Sequence, residues 1–171
     1  MRNDLISKTH IQETITQIDK LYQENIGNRK GLYFAKLAIL EACGWIEESM
    51  DKIVTSYADR HLTDVQNLNY TKDEIVKRTT SFEYDKHFRP MLMRILGIIL
   101  LEKLEMSFDI AKFNKMKGSL SFLKARRDQQ AHTHIKGTTT LIDAPSVTKK
   151  HFQNVYDGLK HIESLIRKVK I

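Results

Sequence analysis

Apolar residues recur every three or four positions through most of the chain, the spacing that places side chains on one face of an α-helix. Three segments show this pattern clearly and predict a helix that ends near Gly27, a helix over residues 32–60, and a last helix from about residue 148 onwards. Their apolar positions are Ile11, Ile15, Ile18 and Tyr22; Leu37, Leu40, Cys43, Ile46, Met50, Ile53 and Tyr57; and Phe152, Val155, Leu159, Ile162 and Ile166.

The middle of the chain predicts an irregular connection followed by a core helix. Residues 61–88 are rich in Asn, Asp, Thr and Ser, which compete with helix through local hydrogen bonds. Thr71 and Glu74 form a capping pattern that predicts a short helix within this connection. Pro90 suits the first turn of a helix, and residues 91–108 are apolar around much of their circumference. We therefore predict a third helix at the centre of the core.

A fourth helix starts near Asp109 and carries an apolar stripe that leads to a charge. The next position of the stripe is Arg127, after Phe113, Met116, Leu120 and Leu123. A guanidinium at the edge of a core needs hydrogen bonds and a counter-charge. Two interpretations are open. In the first, Arg127 has a structural role and either reaches solvent or pairs with a nearby carboxylate. In the second, it binds an anionic ligand.

Composition and length point to one helical domain. Two prolines and seven glycines in 171 residues favour long helices over turn-rich β structure. Residues 137–147 contain Thr, Asp, Pro and Ser and predict a loop before the last helix. We predict an all-α fold, an up-and-down bundle of four to six helices, in a single domain over residues 1–171.

Charge and cysteine content narrow the partners and the location. The formal net charge of +7 favours an anionic partner, although a basic surface also serves solubility alone. The one cysteine, Cys43, is expected to be a buried and unreactive thiol. The sequence has no signal-peptide pattern and no apolar run long enough to span a bilayer. We expect a reducing, cytoplasmic location and no membrane partner.

The stretch around Arg127 combines a cation with titratable side chains. Asp128 follows Arg127 directly, and His132 and His134 come five and seven residues after it. An imidazole can act as acid or base near neutral pH, and arginine matches phosphate oxygens through paired hydrogen bonds. These residue types suit proton transfer beside a bound phosphate group, without a metal ion or another cofactor.

The two histidines also have the residue type of metal ligands. His151 or Asp143 would have to approach His132 and His134 in space, because no third ligand lies in a local pattern. Structural zinc usually has four ligands, often cysteines, so we expect no metal site here.

The segment Arg127-Asp128-Gln129-Gln130-Ala131-His132 resembles the signature of the HEPN superfamily: an arginine, a polar residue, and a histidine after four to six intervening residues. A helix that contains residues 38–47 precedes the motif, and a loop and a final helix follow it, in the same order. The resemblance implies a helical bundle, usually dimeric, with two motifs facing each other across the interface. Many members are metal-independent endoribonucleases of toxin–antitoxin, CRISPR-linked or phage-defence systems. The resemblance therefore also implies that this chain cleaves RNA, through the RNA's own 2′-hydroxyl.

Carried over to this chain, the resemblance implies that Arg127 and His132 are catalytic and that Asp128 orients them. The candidate supporting residues are Arg126, His134 and Glu47. The expected partners are RNA, a second copy of the chain, and a cognate antitoxin or a nucleotidyltransferase-like protein that modifies the chain. The alternative is a non-catalytic helical dimer that binds nucleic acid or a partner protein.

Helix geometry sets a condition on this site. On an unbroken helix Arg127 and His132 lie about 140° apart, whereas His134 lies nearly over Arg127. We therefore predict that the helix ends before His132, or that the side chains converge only in a dimer. The resemblance favours His132 over His134 as the essential histidine.

Overall fold

A computed structural model describes residues 5–136 and 141–169, and within these ranges every regular element is helical. This confirms the all-α prediction and the expected number of helices. The elements are α1 (Thr9–Gln23), α2 (Arg29–His61), α3 (Val65–Tyr70), the π-helical segments π1 (Thr71–Val76) and π2 (Tyr84–Phe88), α4 (Arg89–Met106), α5 (Ile110–Ala131) and α6 (Pro145–Ile166). Four residues of the predicted loop, 137–140, lie outside the described ranges.

The central helix is α2, not the third predicted helix. Asn28 caps its first turn by accepting hydrogen bonds from the backbone N–H groups of Lys30 and Gly31. One face packs on α1 and another on α5 and α6. The fully buried hydrophobic side chains of α2 include Ile39, Ile46, Met50, Ile53 and Tyr57.

Two members of the predicted apolar line of α2 do not enter the core. Leu37 is 41% exposed and Leu40 is 37% exposed. Tyr33 lies on the same side, and a side chain at Gly44 would meet no atom within 4 Å. No other described part of the chain approaches α2 closely at Gly44.

The third predicted helix, α4, reverses direction in its middle. Gly97 has φ 73° and ψ 160°, a conformation that is essentially restricted to glycine. The Nε atom of Arg89 lies 2.8 Å from an oxygen of Glu105. In a straight helix these two residues would be about 24 Å apart along the axis. The prediction of one continuous helix is therefore wrong: residues 89–96 and 98–106 form a helical hairpin.

Hydrogen bonds to one carboxylate, that of Glu105, join the two arms of this hairpin. Glu105 accepts hydrogen bonds from Arg89 Nε at 2.8 Å and from Arg89 Nη2 at 3.0 Å, a paired geometry that is stronger than a single contact. The hydroxyl of Tyr84 donates to the same carboxylate at 2.8 Å. At the reversal, Ile98 and Ile99 are more than 60% exposed, so this apolar segment forms a tip rather than the core.

The last two helices pack closely and in opposite directions. A Cβ atom at Gly158 of α6 would lie 2.5 Å from the Met116 side chain of α5, so glycine is required for this approach. Asp109, at the start of α5, donates its backbone N–H to His161 near the end of α6. Asp109 also caps α5 by accepting a hydrogen bond from the backbone N–H of Lys112, and the helix starts where the sequence predicts. Within the described residues, no helix combines the length and the apolar character that crossing a membrane requires.

The reversal at Gly97 gives a direct test of this architecture. We expect Gly97→Ala to lower the free energy of unfolding by about 1–3 kcal/mol, because a Cβ atom is strained at this φ and ψ. Gly118→Ala is the matched control, since Gly118 is helical and exposed, and a Cβ atom there meets nothing within 4 Å. The free energy of unfolding of this control should rise by about 0.5–1 kcal/mol. Urea unfolding curves measure the free energy of unfolding of both variants. A Gly97→Ala protein as stable as the parent would contradict the reversal.

Candidate functional site

Arg127 lies at the end of the α5 stripe and is paired with an acid of α2. Its Nη1 atom is 2.5 Å from Glu47 Oε1, and the guanidinium carbon is 5.0 Å from the centre of the Phe82 ring. The Arg127 side chain is 21% exposed, so the guanidinium is mostly covered but still reaches the surface. Of the two interpretations of this arginine, pairing with a carboxylate is what the chain itself shows.

Asp128 completes a second contact to the same guanidinium. Its Oδ1 atom is 3.2 Å from both Nε and Nη2 of Arg127, and its Oδ2 atom is 2.6 Å from Lys124 Nζ. The hydrogen bond from Lys124, together with that from Arg127, lowers the pKa of the Asp128 carboxyl. Lys124 also approaches Glu83 at 4.0 Å. The site is therefore a chain of alternating charges, in which Asp128 orients Arg127 as an ionised carboxylate.

Two groups of α2 beside this chain have pKa values well above their usual range. Burial, and to a lesser degree the charges of Glu47 and Glu48, raise the pKa of Asp51 to about 6. Burial raises the pKa of the Cys43 thiol to about 12, partly opposed by Arg127. Cys43 is 1% exposed and contacts the backbone of Leu123, so the prediction of a buried, unreactive thiol is confirmed.

The helix ends before the histidine of the motif. The last residue of α5 is Ala131, and His132 forms its C-terminal cap with φ −103° and ψ 3°. This satisfies the first of the two geometric conditions set by the sequence. Within residues 5–136 and 141–169, neither His132 nor His134 has a hydrogen-bonding partner for its ring, and both are exposed. The chain therefore brings Arg127, Asp128 and Glu47 into contact, but not the histidines.

The segment after α5 is held against the first half of α2. Arg29 Nη2 donates to the carbonyl of Ile135 at 2.7 Å, and Lys36 Nζ donates to the carbonyl of Thr133 at 3.1 Å. Ile135 is buried, whereas the residues on either side of it are exposed. His132, His134 and Lys136 are all exposed in this short segment. Both imidazoles thus face solvent beside a group of basic residues.

Arg126 belongs to a different contact from Arg127. Its Nε atom lies 2.6 Å from Asp143, and its guanidinium carbon lies 5.2 Å from the centre of the Phe122 ring. The imidazole of His151 stacks on the same ring, with centroids 4.0 Å apart. His151 Nδ1 is 3.0 Å from Ser119 Oγ, and burial lowers the pKa of His151. His151 thus supports the packing of α5 on α6.

A metal site at the histidines receives no support from this geometry. The described residues contain no group of three or more His, Cys, Asp or Glu side chains that are close enough together to hold a metal ion. Asp143 is paired with Arg126, and His151 is paired with Ser119.

Sequence patterns did not reveal four neighbours of the motif. Lys124 lies one helical turn before Asp128, and this spacing is the only sequence signal for their contact. Asp51 lies one turn after Glu47 on α2. Phe82 and Glu83 come from the connection before α4, which the sequence predicted only as irregular. Their contact with α5 depends on how that connection folds, and no local pattern carries this information.

Comparison of the chain with protein-family models, with curated proteins and with solved structures finds no match in any of the three.

The raised pKa of Asp51 predicts how stability depends on pH. An aspartate that resists ionisation only in the folded state weakens the fold as pH rises from about 4 to about 6. We expect Asp51→Asn to be more stable than the parent at pH 7, by about 1–3 kcal/mol, and equal to it near pH 4. Asp59→Asn is the control, because Asp59 lies on the same helix with 54% exposure. Denaturant titrations at several pH values measure the difference, and an advantage that does not vary with pH would contradict this account.

Proposed function

We propose that the chain is a HEPN-like, metal-independent endoribonuclease, which acts in the cytoplasm as an effector of a toxin or defence system. The observation that carries this proposal is the end of α5. There Arg127 is fixed by Glu47 and Asp128, the helix stops at Ala131, and His132 follows at the surface. The formal net charge of +7 supports a polyanionic substrate.

The chemistry requires only groups that this chain and RNA supply. The 2′-hydroxyl next to the scissile phosphate is the nucleophile, and an imidazole removes its proton. Charge that develops on the phosphate oxygens is offset by Arg127, whose planar guanidinium matches two oxygens at once. A second imidazole protonates the leaving 5′-oxygen. The products are a 2′,3′-cyclic phosphate and a 5′-hydroxyl, with no redox step.

A dimer would provide the second imidazole, and α2 has a surface that supports one. Tyr33, Leu37 and Leu40 form an exposed apolar stripe with Gly44, where a partner could approach closely. Glu47, which pairs with Arg127, and Lys36, which holds the segment after α5, lie within about 70° of this stripe on the same helix. We propose that two copies pair through the α2 stripe, which brings their His132 side chains to a shared cleft.

Cleavage of RNA in excess EDTA tests the catalytic proposal. We expect the parent protein to cleave end-labelled RNA and to leave 2′,3′-cyclic phosphate ends. His132→Ala should slow cleavage by about 100-fold or more through loss of proton transfer. Arg127→Lys, which keeps the charge but loses the paired hydrogen bonds, should slow it by about 10- to 100-fold.

His134→Ala is the matched control for the histidine, since His134 is also exposed on the same segment. It should retain most of the activity. Products with a 3′-hydroxyl, or activity that chelation removes, would refute the proposed chemistry, and a larger loss in His134→Ala would reassign the essential histidine.

The oligomeric state of two double variants tests the dimer surface. Leu37→Glu with Leu40→Glu should convert a dimer into a monomer, because burying two carboxylates in an apolar interface is unfavourable. Ile98→Glu with Ile99→Glu changes an equally apolar patch at the tip of the α4 hairpin and should leave the dimer intact. Light scattering after size-exclusion chromatography gives the mass of each. A monomeric parent at micromolar concentration would refute a stable dimer.

One observation favours a non-catalytic RNA-binding dimer instead. Glu47 and Asp128 already offset the charge of Arg127. In such a protein Arg127 serves mainly to join α5 to α2. Unchanged RNA binding by His132→Ala, with no cleavage by the parent, would favour this function.

A further inference from the structure

A cavity of about 300 Å³ lies between π1, π2 and the first arm of the α4 hairpin. Its lining includes three cationic side chains, an aromatic ring at the rim and two apolar residues, namely Arg78, Lys86, Arg94, Tyr70, Pro90 and Met91. None of these residues belongs to the HEPN-like motif. We propose that this cavity is a second ligand site, which binds one nucleotide unit through its phosphate and its base.

The charge balance of the cavity favours an anion. Arg78 is paired with Glu74 at 2.9 Å, and Lys86 is 3.5 Å from Glu83. Arg94 differs from both, because no carboxylate among residues 5–136 and 141–169 pairs with it. Three cations against two carboxylates leave one net positive charge, which belongs to Arg94. A phosphate would supply the missing counter-charge.

The two guanidinium groups contact the same residue, Glu74. Arg94 Nη1 donates to the backbone carbonyl of Glu74 at 3.1 Å, and Arg78 Nη2 donates to the carboxylate of the same residue at 2.9 Å. Glu74 thus holds both arginines on one side of the cavity. Two guanidinium groups on one side of the cavity offer paired N–H donors to one phosphate.

Two unusual backbone turns form the other walls. Lys77 N–H donates to the carbonyl of Lys72 at 3.0 Å, and Phe88 N–H donates to the carbonyl of Glu83 at 3.1 Å. Both bonds span five residues, the wide π-helical turn that occurs mostly as single turns and frequently at functional sites. One turn contributes Glu74, and the other contributes Lys86 and His87. Both wide turns therefore shape this cavity.

The uncharged part of the lining suits a base. Tyr70 lines the cavity and is 55% exposed, so its aromatic ring is accessible to a ligand. Stacking of a base on an aromatic ring is worth about 1–3 kcal/mol. Pro90 and Met91 provide apolar contact on the cavity wall. A volume of about 300 Å³ matches one nucleotide rather than a longer segment.

The nucleotide unit has two sources, a free mononucleotide and one residue of an RNA strand. Glu83 links this cavity to the α5 site, since its carboxylate lies 3.5 Å from Lys86 and 4.0 Å from Lys124. A strand bound at Arg127 has a charged path towards the cavity. The proposal itself concerns binding and does not depend on whether the protein cleaves RNA.

Calorimetric titration of the full chain with defined ligands tests the site. The ligands are AMP, adenosine, ribose 5-phosphate and a five-residue RNA, and the RNA is titrated into His132→Ala protein so that cleavage does not interfere. We expect AMP to bind at least tenfold more tightly than adenosine. Arg94→Gln should weaken binding of the phosphate-bearing ligands by about ten- to 100-fold through loss of a charge-assisted hydrogen bond. Arg94→Lys should retain part of the affinity.

Two controls separate the cavity from general basic charge. Lys77→Gln removes a cation from the same region, but Lys77 is 74% exposed, pairs with Asp73 and does not line the cavity, so AMP affinity should not change. Tyr70→Leu should weaken AMP and leave ribose 5-phosphate unaffected. Arg94 is exposed, so Arg94→Gln should keep the parent unfolding temperature.

Each outcome decides the proposal. Arg94-dependent binding of AMP assigns the site to a free mononucleotide. Arg94-dependent binding of RNA, without AMP binding, assigns it to a residue of a strand. Equal affinity of parent and Arg94→Gln for both ligands, or binding of neither, overturns the site even if RNA cleavage is found.

Discussion

The structure depends on the pairing of Arg127 with Glu47. An arginine that continues a buried apolar stripe needs a counter-charge, and α2 provides it 80 residues earlier in the chain. One turn before this pair, Cys43 contacts the backbone of Leu123, so two successive contacts set α2 and α5 side by side in the same direction. The raised pKa of Asp51 follows from the same arrangement, since burial and the charge of Glu47 both oppose its ionisation.

The α4 hairpin determines what surrounds that pair. Because the chain reverses at Gly97, Glu105 returns to Arg89 and Tyr84 and fixes the start of α4 beside π2. The preceding connection then lies against α5, where Phe82 covers the guanidinium of Arg127 and Glu83 approaches Lys124. A segment that resembles a loop in sequence thus becomes one wall of the candidate site and part of the lining of the proposed nucleotide cavity.

The two proposed sites use cations in different ways. Arg127 is offset by Glu47 and Asp128, so substrate phosphate would have to compete with two carboxylates for its hydrogen bonds. Arg94 is held by a backbone carbonyl and keeps its full charge for a ligand. This contrast is why catalysis at α5 and binding at the cavity require separate measurements.

Local patterns in the sequence determined α1, α2, α5 and α6, the start of α5 near Asp109, the buried Cys43 and the position of Arg127 at the end of an apolar stripe. These features depend on spacing and on side-chain type, which the chain carries in every conformation. The exposure of Leu37 and Leu40, the reversal at Gly97, the pairing of Arg127 with Glu47 and the approach of Phe82 were decided only by the tertiary structure. Each depends on which distant segments meet, and hydrophobic periodicity alone does not specify that.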